Sequence, residues 1–499
     1  MTSRRLVTLG VLGGTFLAAI EATIVATAMP TVIEQLGGLS HYSWVFSAYI
    51  LTSTVTVPLW GRLSDIHGRR SYYLAAVALF LVGSALSGAA HSMTQLIAFR
   101  AIQGLGAGGL IPLGTTIIGD LYSLKERARA QALFSGVWGV ASIVGPLIGG
   151  FITEALSWRW VFYLNLPFGL VAAALVGSAL VEPARRTTHR IDYRGALLLS
   201  GAVTLLLVAL TQTGVRDGQL DSRTLTALYA ASVTLGLLFV WLERRVPEPI
   251  LPLDLLADRH VGSATLTGFL TGIAMFGVLS FVPLFVQSAM GGTATQAGSA
   301  LTPLLLGWVS MSFVTSRVLP RVGFRRMVVG GLAIVTLGFG GLLQIGESSS
   351  LVTLYLALGV MGIGMGMTML SLLLAQQSAV SRERLGIATS LGQFARSIGG
   401  AVGVALMGAV MAASLAVPLS ASLSGAAGLT PGHAIAAGRA VTPGDMAAAV
   451  HQAFLCGAIV SALAMISGFW LPMGFPGRPA DAARAAEEGS AERGVEPIV

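Results

Sequence analysis

Cysteine and lysine each occur once in the 499-residue chain, as Cys456 and Lys125, and only 10% of the residues are charged. One cysteine excludes an internal disulfide and any cysteine-built metal site. The one lysine follows Leu124, so there is no Gly-x-x-x-x-Gly-Lys-Ser/Thr phosphate loop and a nucleotide-driven pump is excluded. His-Glu-x-x-His and Gly-x-Ser-x-Gly are also missing, and all seven histidines lie in loops or at the ends of apolar runs. A metalloprotease or esterase therefore has no evident residues, and we expect no enzyme, metal or cofactor. The scarcity of charge accompanies 54% hydrophobic residues and a mean hydropathy of +0.79, which a soluble globular protein of this length would not tolerate. The net charge of +8 sits in short basic clusters between apolar runs, without stacking aromatics, so it marks membrane topology and not a nucleic-acid partner.

Apolar runs of about 20 residues predict fourteen membrane spans: 6–29, 43–60, 72–90, 94–118, 131–153, 161–181, 195–213, 224–242, 261–288, 298–315, 327–345, 351–374, 386–413 and 451–472. The first run follows Arg4-Arg5 and contains Ala26-Thr27-Ala28, as a signal peptide would, but it is long enough to span and many spans follow it, so we expect an uncleaved first helix. An even number of spans puts both termini on one side. With that side cytoplasmic, 24 of the 30 basic residues lie inside and four outside, so the positive-inside rule orients the chain in the plasma membrane with both termini in the cytoplasm.

The loop after span 2, Gly61-Arg62-Leu63-Ser64-Asp65-Ile66-His67-Gly68-Arg69-Arg70, returns in decayed form after span 10 as Ser316 to Arg325, aligned on Gly68 and Gly323. Two related halves follow from this repeat: a bundle of six helices over 1–181 and another over 261–473. An inserted helix pair occupies 182–260, and residues 474–499 form a disordered tail. The fold class is an all-α membrane protein. The segment 414–450, rich in Ala, Gly and Ser, faces outward without an assigned role.

Of the 22 acidic residues, 21 fall in predicted loops, tails or helix ends, which leaves Glu21 as the one acid at membrane depth. A lone buried charge costs about 2.5–3.5 kcal/mol on insertion scales, so such a residue is a functional candidate by default. Glu21 lies about 22 Å along span 1 at 1.5 Å per residue. Arg100 enters span 4 from the opposite side to about 9 Å, so in a core about 30 Å thick the two share a depth.

Four segments carry a family resemblance. Gly61 to Arg70, Arg100-x-x-Gln103-Gly104-x-Gly106 in span 4 and Gly145-Pro146-x-x-Gly149-Gly150 in span 5 resemble signature motifs of the major facilitator superfamily, the last being the motif associated with antiporters. Ile20 to Pro30 resembles the span 1 motif of its fourteen-span drug/proton antiporters, the QacA/EmrB type, and Trp158-Arg159-Trp160-x-Phe162-x-x-Asn165-x-Pro167 resembles their span 5 to 6 junction. The resemblance covers nearly the whole chain. It departs at Glu21, where Asp is usual, at Ala26 for Asn, at Met29 for Leu and at Ala141 for Gly.

The resemblance implies the major facilitator fold, with spans 1 and 4 lining a central cavity and Arg100 tuning Glu21. We expect Glu21 to carry the coupling proton, because burial favours a neutral acid and a nearby cation favours a carboxylate, so a carboxyl so placed can be switched. The alternative is a structural ion pair, and for Arg100 a cap on helix carbonyls. Gly61, Asp65, Gly68, Arg69 and Arg70 are candidates for a gating latch in which Asp65 pairs with an arginine or a helix terminus in one facing of the transporter. A plain basic tether would explain neither Asp65 nor both glycines. Gly145, Pro146, Gly149 and Gly150 suit a helix that bends or seals against a partner.

Met361, Met365 and Met369 repeat at i, i+4 and i+8 on span 12 and, with Tyr49, Trp138, Phe281, Gln287 and Arg396, are cavity candidates. A methionine stripe is adaptable to ill-defined apolar ligands, but it is more often simple packing or lipid contact. Arg396 faces either an anionic substrate group or backbone carbonyls. No ring of acids awaits a polycation, so the expected partners are protons, lipid and small amphiphilic cargo, neutral or singly charged, with the chain a monomer. The function expected is proton-coupled export of amphiphilic compounds, driven by the proton gradient. Export of an endogenous lipid, siderophore or secondary metabolite, uptake by symport, and a non-transporting sensor are the alternatives.

Overall fold

Long apolar runs punctuated by Gly, Pro and capping residues can satisfy their backbone inside a membrane only as helices, and the computed structural model is helical throughout its described residues. These are residues 2–37, 42–181, 192–213 and 221–473, apart from 247–248, 250, 252, 293, 348 and 424–441. The tail 474–499 and residues 424–441 of the outward segment lie outside them. The helices are α1 (Thr2–Leu36), α2 (Tyr42–His67), α3 (Arg69–Gly88), α4 (Met93–Leu121), α5 (Leu124–Ala155), α6 (Arg159–Tyr163), α7 (Asn165–Ala179), α8 (Tyr193–Thr213), α9 (Ser222–Glu243), α10 (Leu253–Ala257), α11 (Arg259–Ser288), α12 (Ala294–Ala300), α13 (Thr302–Val322), α14 (Phe324–Leu342), α15 (Leu351–Ser378), α16 (Leu385–Leu423) and α17 (Pro443–Gly468). Each stretch expected to span overlaps a helix, with 161–181 divided between α6 and α7 and 298–315 between α12 and α13, and among the described residues ten helices are long and apolar enough to cross a membrane.

Packing repeats along the chain. In the first part α3 and α2 pack on α4, and α1 packs on α5 and α7; in the second α14 and α13 pack on α15, and α11 packs on α16 and α17. The helices α8 and α9 pair with each other, and α8 rests on α2 and α16. The two parts meet where α2 crosses α16 and α5 crosses α13.

The small-residue faces explain the tight pairs. A Cβ at Gly104 or Gly108 would overlap the α2 carbonyls of Tyr49 and Ser53, and one at Gly362 or Gly366 would overlap the α13 carbonyls of Leu304 and Trp308. Gly399 and Gly403 stand in the same way against Phe269 and Ile273 of α11. Such contacts replace side-chain burial as the packing force where the surroundings are as apolar as the helices. Gly68 and Gly323, the two residues that align the repeated loop, both precede a helix with positive φ, 103° and 87°, a conformation that costs any residue with a Cβ.

Candidate functional site

Glu21 projects from α1 into the first bundle, where its side chain is 1% exposed. It forms an ion pair with Arg100 of α4. Its other oxygen accepts a hydrogen bond from Asn165 Nδ2 of α7 at 2.7 Å. Asn165 also donates to Ser84 Oγ of α3 at 3.0 Å, and Ser84 in turn donates to the Phe162 carbonyl at 2.8 Å. Arg100 donates to Gln103 Oε1 at 2.7 Å and to the Val45 carbonyl at 3.3 Å, and its guanidinium lies 4.2 Å from the Tyr49 ring centre. Helices α1, α4 and α7 thus meet at one carboxylate, with α2 and α3 one contact further out. Arg100 bonds one carboxylate oxygen of Glu21 and Asn165 the other, and Arg100 has further partners in Gln103, Val45 and the Tyr49 ring.

The depth argument therefore brings Glu21 and Arg100 together, as expected, but the pair points into the bundle and not into an open cavity. Asn165 escaped the sequence reading as a partner, although a signal was present: it is the only asparagine in the chain and it stands inside an apolar run. Tyr49, a cavity candidate, is half-buried beneath Arg100.

A second cluster lies on the membrane face that carries the arginine-rich loops. Asp65 at the end of α2 forms an ion pair with Arg69 and accepts backbone hydrogen bonds from Gly386 at 3.0 Å and Ile387 at 2.8 Å, in the first turn of α16. Arg69 also pairs with Asp120 of α4 at 3.0 Å and donates to the Arg382 carbonyl at 3.2 Å. Arg70 donates to the Gly177 carbonyl of α7. Gly61 lets α2 touch α16, since a Cβ there would meet the Gly386 carbonyl at 2.9 Å. Nearby, Arg127 reaches Gln377 at 3.5 Å, and Gln377 donates to the Thr115 carbonyl at 3.4 Å. Five hydrogen bonds join the first part of the chain to the second on this side, so polar contacts hold the halves together here.

The antiporter-type motif lies within α5, with Gly145 and Gly149 buried. The methionine stripe requires a correction. Met361 and Met365, each 2% exposed, belong to the packed interior of the second bundle; a Cβ at Gly338 of α14 would overlap Met361. Phe281 is likewise core, 6% exposed. Gln287 is exposed near the end of α11. Trp138 is partly open on α5, and Arg396 is half-buried beside Gln393, with Met369 Sδ 3.8 Å away.

The family model of the Major Facilitator Superfamily matches residues 11–404. The chain belongs to that superfamily and is a multi-pass membrane protein of a transporter family, not an enzyme family. It is 37% identical over 408 residues, covering 82% of this chain and 75% of the relative, to a protein of Bacillus subtilis named multidrug transporter protein MdtP. It is 33% identical over 406 residues to multidrug resistance protein 3 of the same organism, covering 81% and 79%. Efflux pump dotC of Dothistroma septosporum is 32% identical over 396 residues, covering 78% and 68%. Among solved structures, the human organic anion transporter MFSD10 superposes with a TM-score of 0.66 at 17% identity, covering 94% of this chain and all of that one, a likeness of fold.

Proposed function

We propose that this protein is a proton-driven exporter of amphiphilic small molecules working by alternating access, with fourteen spans arranged as two six-helix bundles, 1–181 and 261–473, around the inserted pair in 182–260. Both termini are cytoplasmic in this reading, because of the 24-to-4 asymmetry of basic residues, and the protein acts as a monomer in the plasma membrane. The observation that carries it is the Glu21–Arg100–Asn165 network, one buried ionisable acid at membrane depth bonded by an arginine and an asparagine from two other helices. The names of the bacterial relatives support the choice of drug-like cargo.

On this orientation the Asp65–Arg69 cluster seals the cytoplasmic entrance, so the conformation described is the one that faces outward. Breaking the cluster opens the other side. One proton moving down about 100 mV and one pH unit releases about 3.7 kcal/mol, enough for a gradient of several hundred-fold in a neutral cargo. For a monovalent cation the electrical part cancels and about tenfold remains.

The test is proton release in liposomes containing the purified chain, followed with a pH dye while neutral and charged amphiphiles are added. The native protein is expected to respond and a folded Glu21→Gln variant to fall silent. Equal responses from both would remove Glu21 from coupling.

A further inference from the structure

The pair α8–α9 lies between the two parts of the chain in sequence and across their boundary in space. Ser232 Oγ of α9 donates to the Ala202 carbonyl of α8 at 2.8 Å, which ties the two helices into one unit. Through α8 that unit rests on α2 of the first part and on α16 of the second, beside the place where Gly61 and Asp65 bring α2 against Gly386. Leu199, Val203 and Leu207 of α8 share one apolar cluster with Val55 of α2 and with Ile387 and Leu391 of α16. If α2 and α16 part, α8 cannot stay against both.

The two attachments are unequal. On α16 the cluster takes in Ile387, Leu391, Phe394, Ile398 and Ala401, spaced i, i+4, i+7, i+11 and i+14 along one face about 21 Å long. Among the described residues α2 contributes Leu51 and Val55, a single turn. Helices in a membrane are held together by fitted packing and polar contacts, so the longer face is the stronger attachment.

The connection that leaves α9 adds to the same side. Glu243, near the end of α9, accepts a hydrogen bond from the Leu251 amide at 2.6 Å, and the chain folds back so that Leu251 and Leu255 are buried in the cluster with Val261 of α11. The helix α10 is then fixed on α11: a Cβ at Gly262 would meet the Leu256 carbonyl at 2.3 Å, and Asp258 accepts from the His260 and Val261 amides at 2.9 Å each. Asp254 of α10 also pairs with Arg384, just before α16, at 2.5 Å. The opposite seam is different. Where Gly136 and Gly139 of α5 meet Phe313 and Val309 of α13, the flanking Leu133, Val140, Leu306 and Val314 are exposed.

We propose that the inserted pair belongs to the moving body of the second half and serves it as a sliding cover. When the cytoplasmic side opens, α8 and α9 stay with α16, and α2 slides away beneath α8, so this seam stays shielded from lipid. The inference rests on the alternating-access reading and gives the inserted pair a role within it. An apolar contact of one turn suits such sliding, because it carries no geometry that must be broken and remade.

The test is the distance between paired spin labels in the whole chain, in nanodiscs and on a Cys456→Ser background. Labels go on Leu197→Cys of α8, Ala75→Cys of α3 and Arg326→Cys of α14, all exposed, so packing is left intact. Distances are read with native Asp65 and with Asp65→Asn, each at acidic and at alkaline pH. Wherever the distance from Ala75 to Arg326, which reports the two halves, shifts by about 5 Å or more, that from Leu197 to Arg326 is expected to hold within about 2 Å, and that from Leu197 to Ala75 to shift with it.

If Leu197 instead keeps its distance to Ala75 while that to Arg326 shifts, the pair travels with the first half and the proposal is overturned. Shifts in both distances make the pair an independent body and overturn it as well. In either case alternating access stands. A distance from Ala75 to Arg326 that never shifts refutes alternating access and the cover together.

Discussion

If Glu21 and Arg100 are each other's main compensation, removing both must cost less than their separate effects sum to. Glu21→Leu leaves a guanidinium, 2% exposed, with only Gln103 Oε1, the Val45 carbonyl and the face of Tyr49, and the loss of a partner from a buried pair costs about 3–5 kcal/mol. Arg100→Leu leaves the carboxylate with Asn165 alone at 2.7 Å and belongs in the same range. The double variant buries two leucines instead, at the expense of partners for Gln103 and Asn165, about 1–3 kcal/mol each. At the middle of these ranges the expected coupling energy is about 4 kcal/mol. It is measurable by reversible denaturation in mixed micelles of the native chain, the two single variants and the double one. Additivity within about 0.5 kcal/mol would refute the argument, because two groups that compensate one another cannot add.

Other outcomes follow from the same contacts. Asp65→Asn removes the charge that pairs with Arg69 and weakens two backbone hydrogen bonds from α16, about 1.5–3 kcal/mol in all, so distances between spin labels placed across the arginine-rich face should shift toward the open population by about tenfold or more. Gly362→Val drives a side chain into the Leu304 carbonyl and should abolish the monodisperse folded peak in size-exclusion chromatography, whereas Gly346→Ala, with nothing within 4 Å, should not. Met365→Leu conserves volume in a packed core, so it should cost less than about 1.5 kcal/mol and leave transport KM unchanged; a large change in KM with unaltered stability would return Met365 to the cavity.

What the chain discloses before folding depends on the kind of constraint a residue obeys. Gly68 and Gly323 were legible because a positive φ restricts the residue type itself, and a loop so restricted marks a repeat even after its charges have drifted. Glu21 and Arg100 were legible because the membrane sets a depth scale of about 1.5 Å per residue, and matching depth is a necessary condition for contact. Depth says nothing about rotation around the helix axis, so the sequence did not show that the pair turns inward, nor that Asn165 from α7 completes it. The methionines fail for the same reason. A repeat at i and i+4 identifies a helix face but not its neighbour, and the face of Met361 and Met365 is covered by the bundle's own core. Function in such a protein therefore depends on helix rotation, which small residues fix: the contacts at Gly136 and Gly139 set how α5 meets α13, and those at Gly399 and Gly403 set how α16 meets α11. A bulky residue at Gly136, where a Cβ would meet only the Phe313 ring at 3.4 Å, should alter cargo preference through the angle of α5, with no change to a side chain that touches cargo.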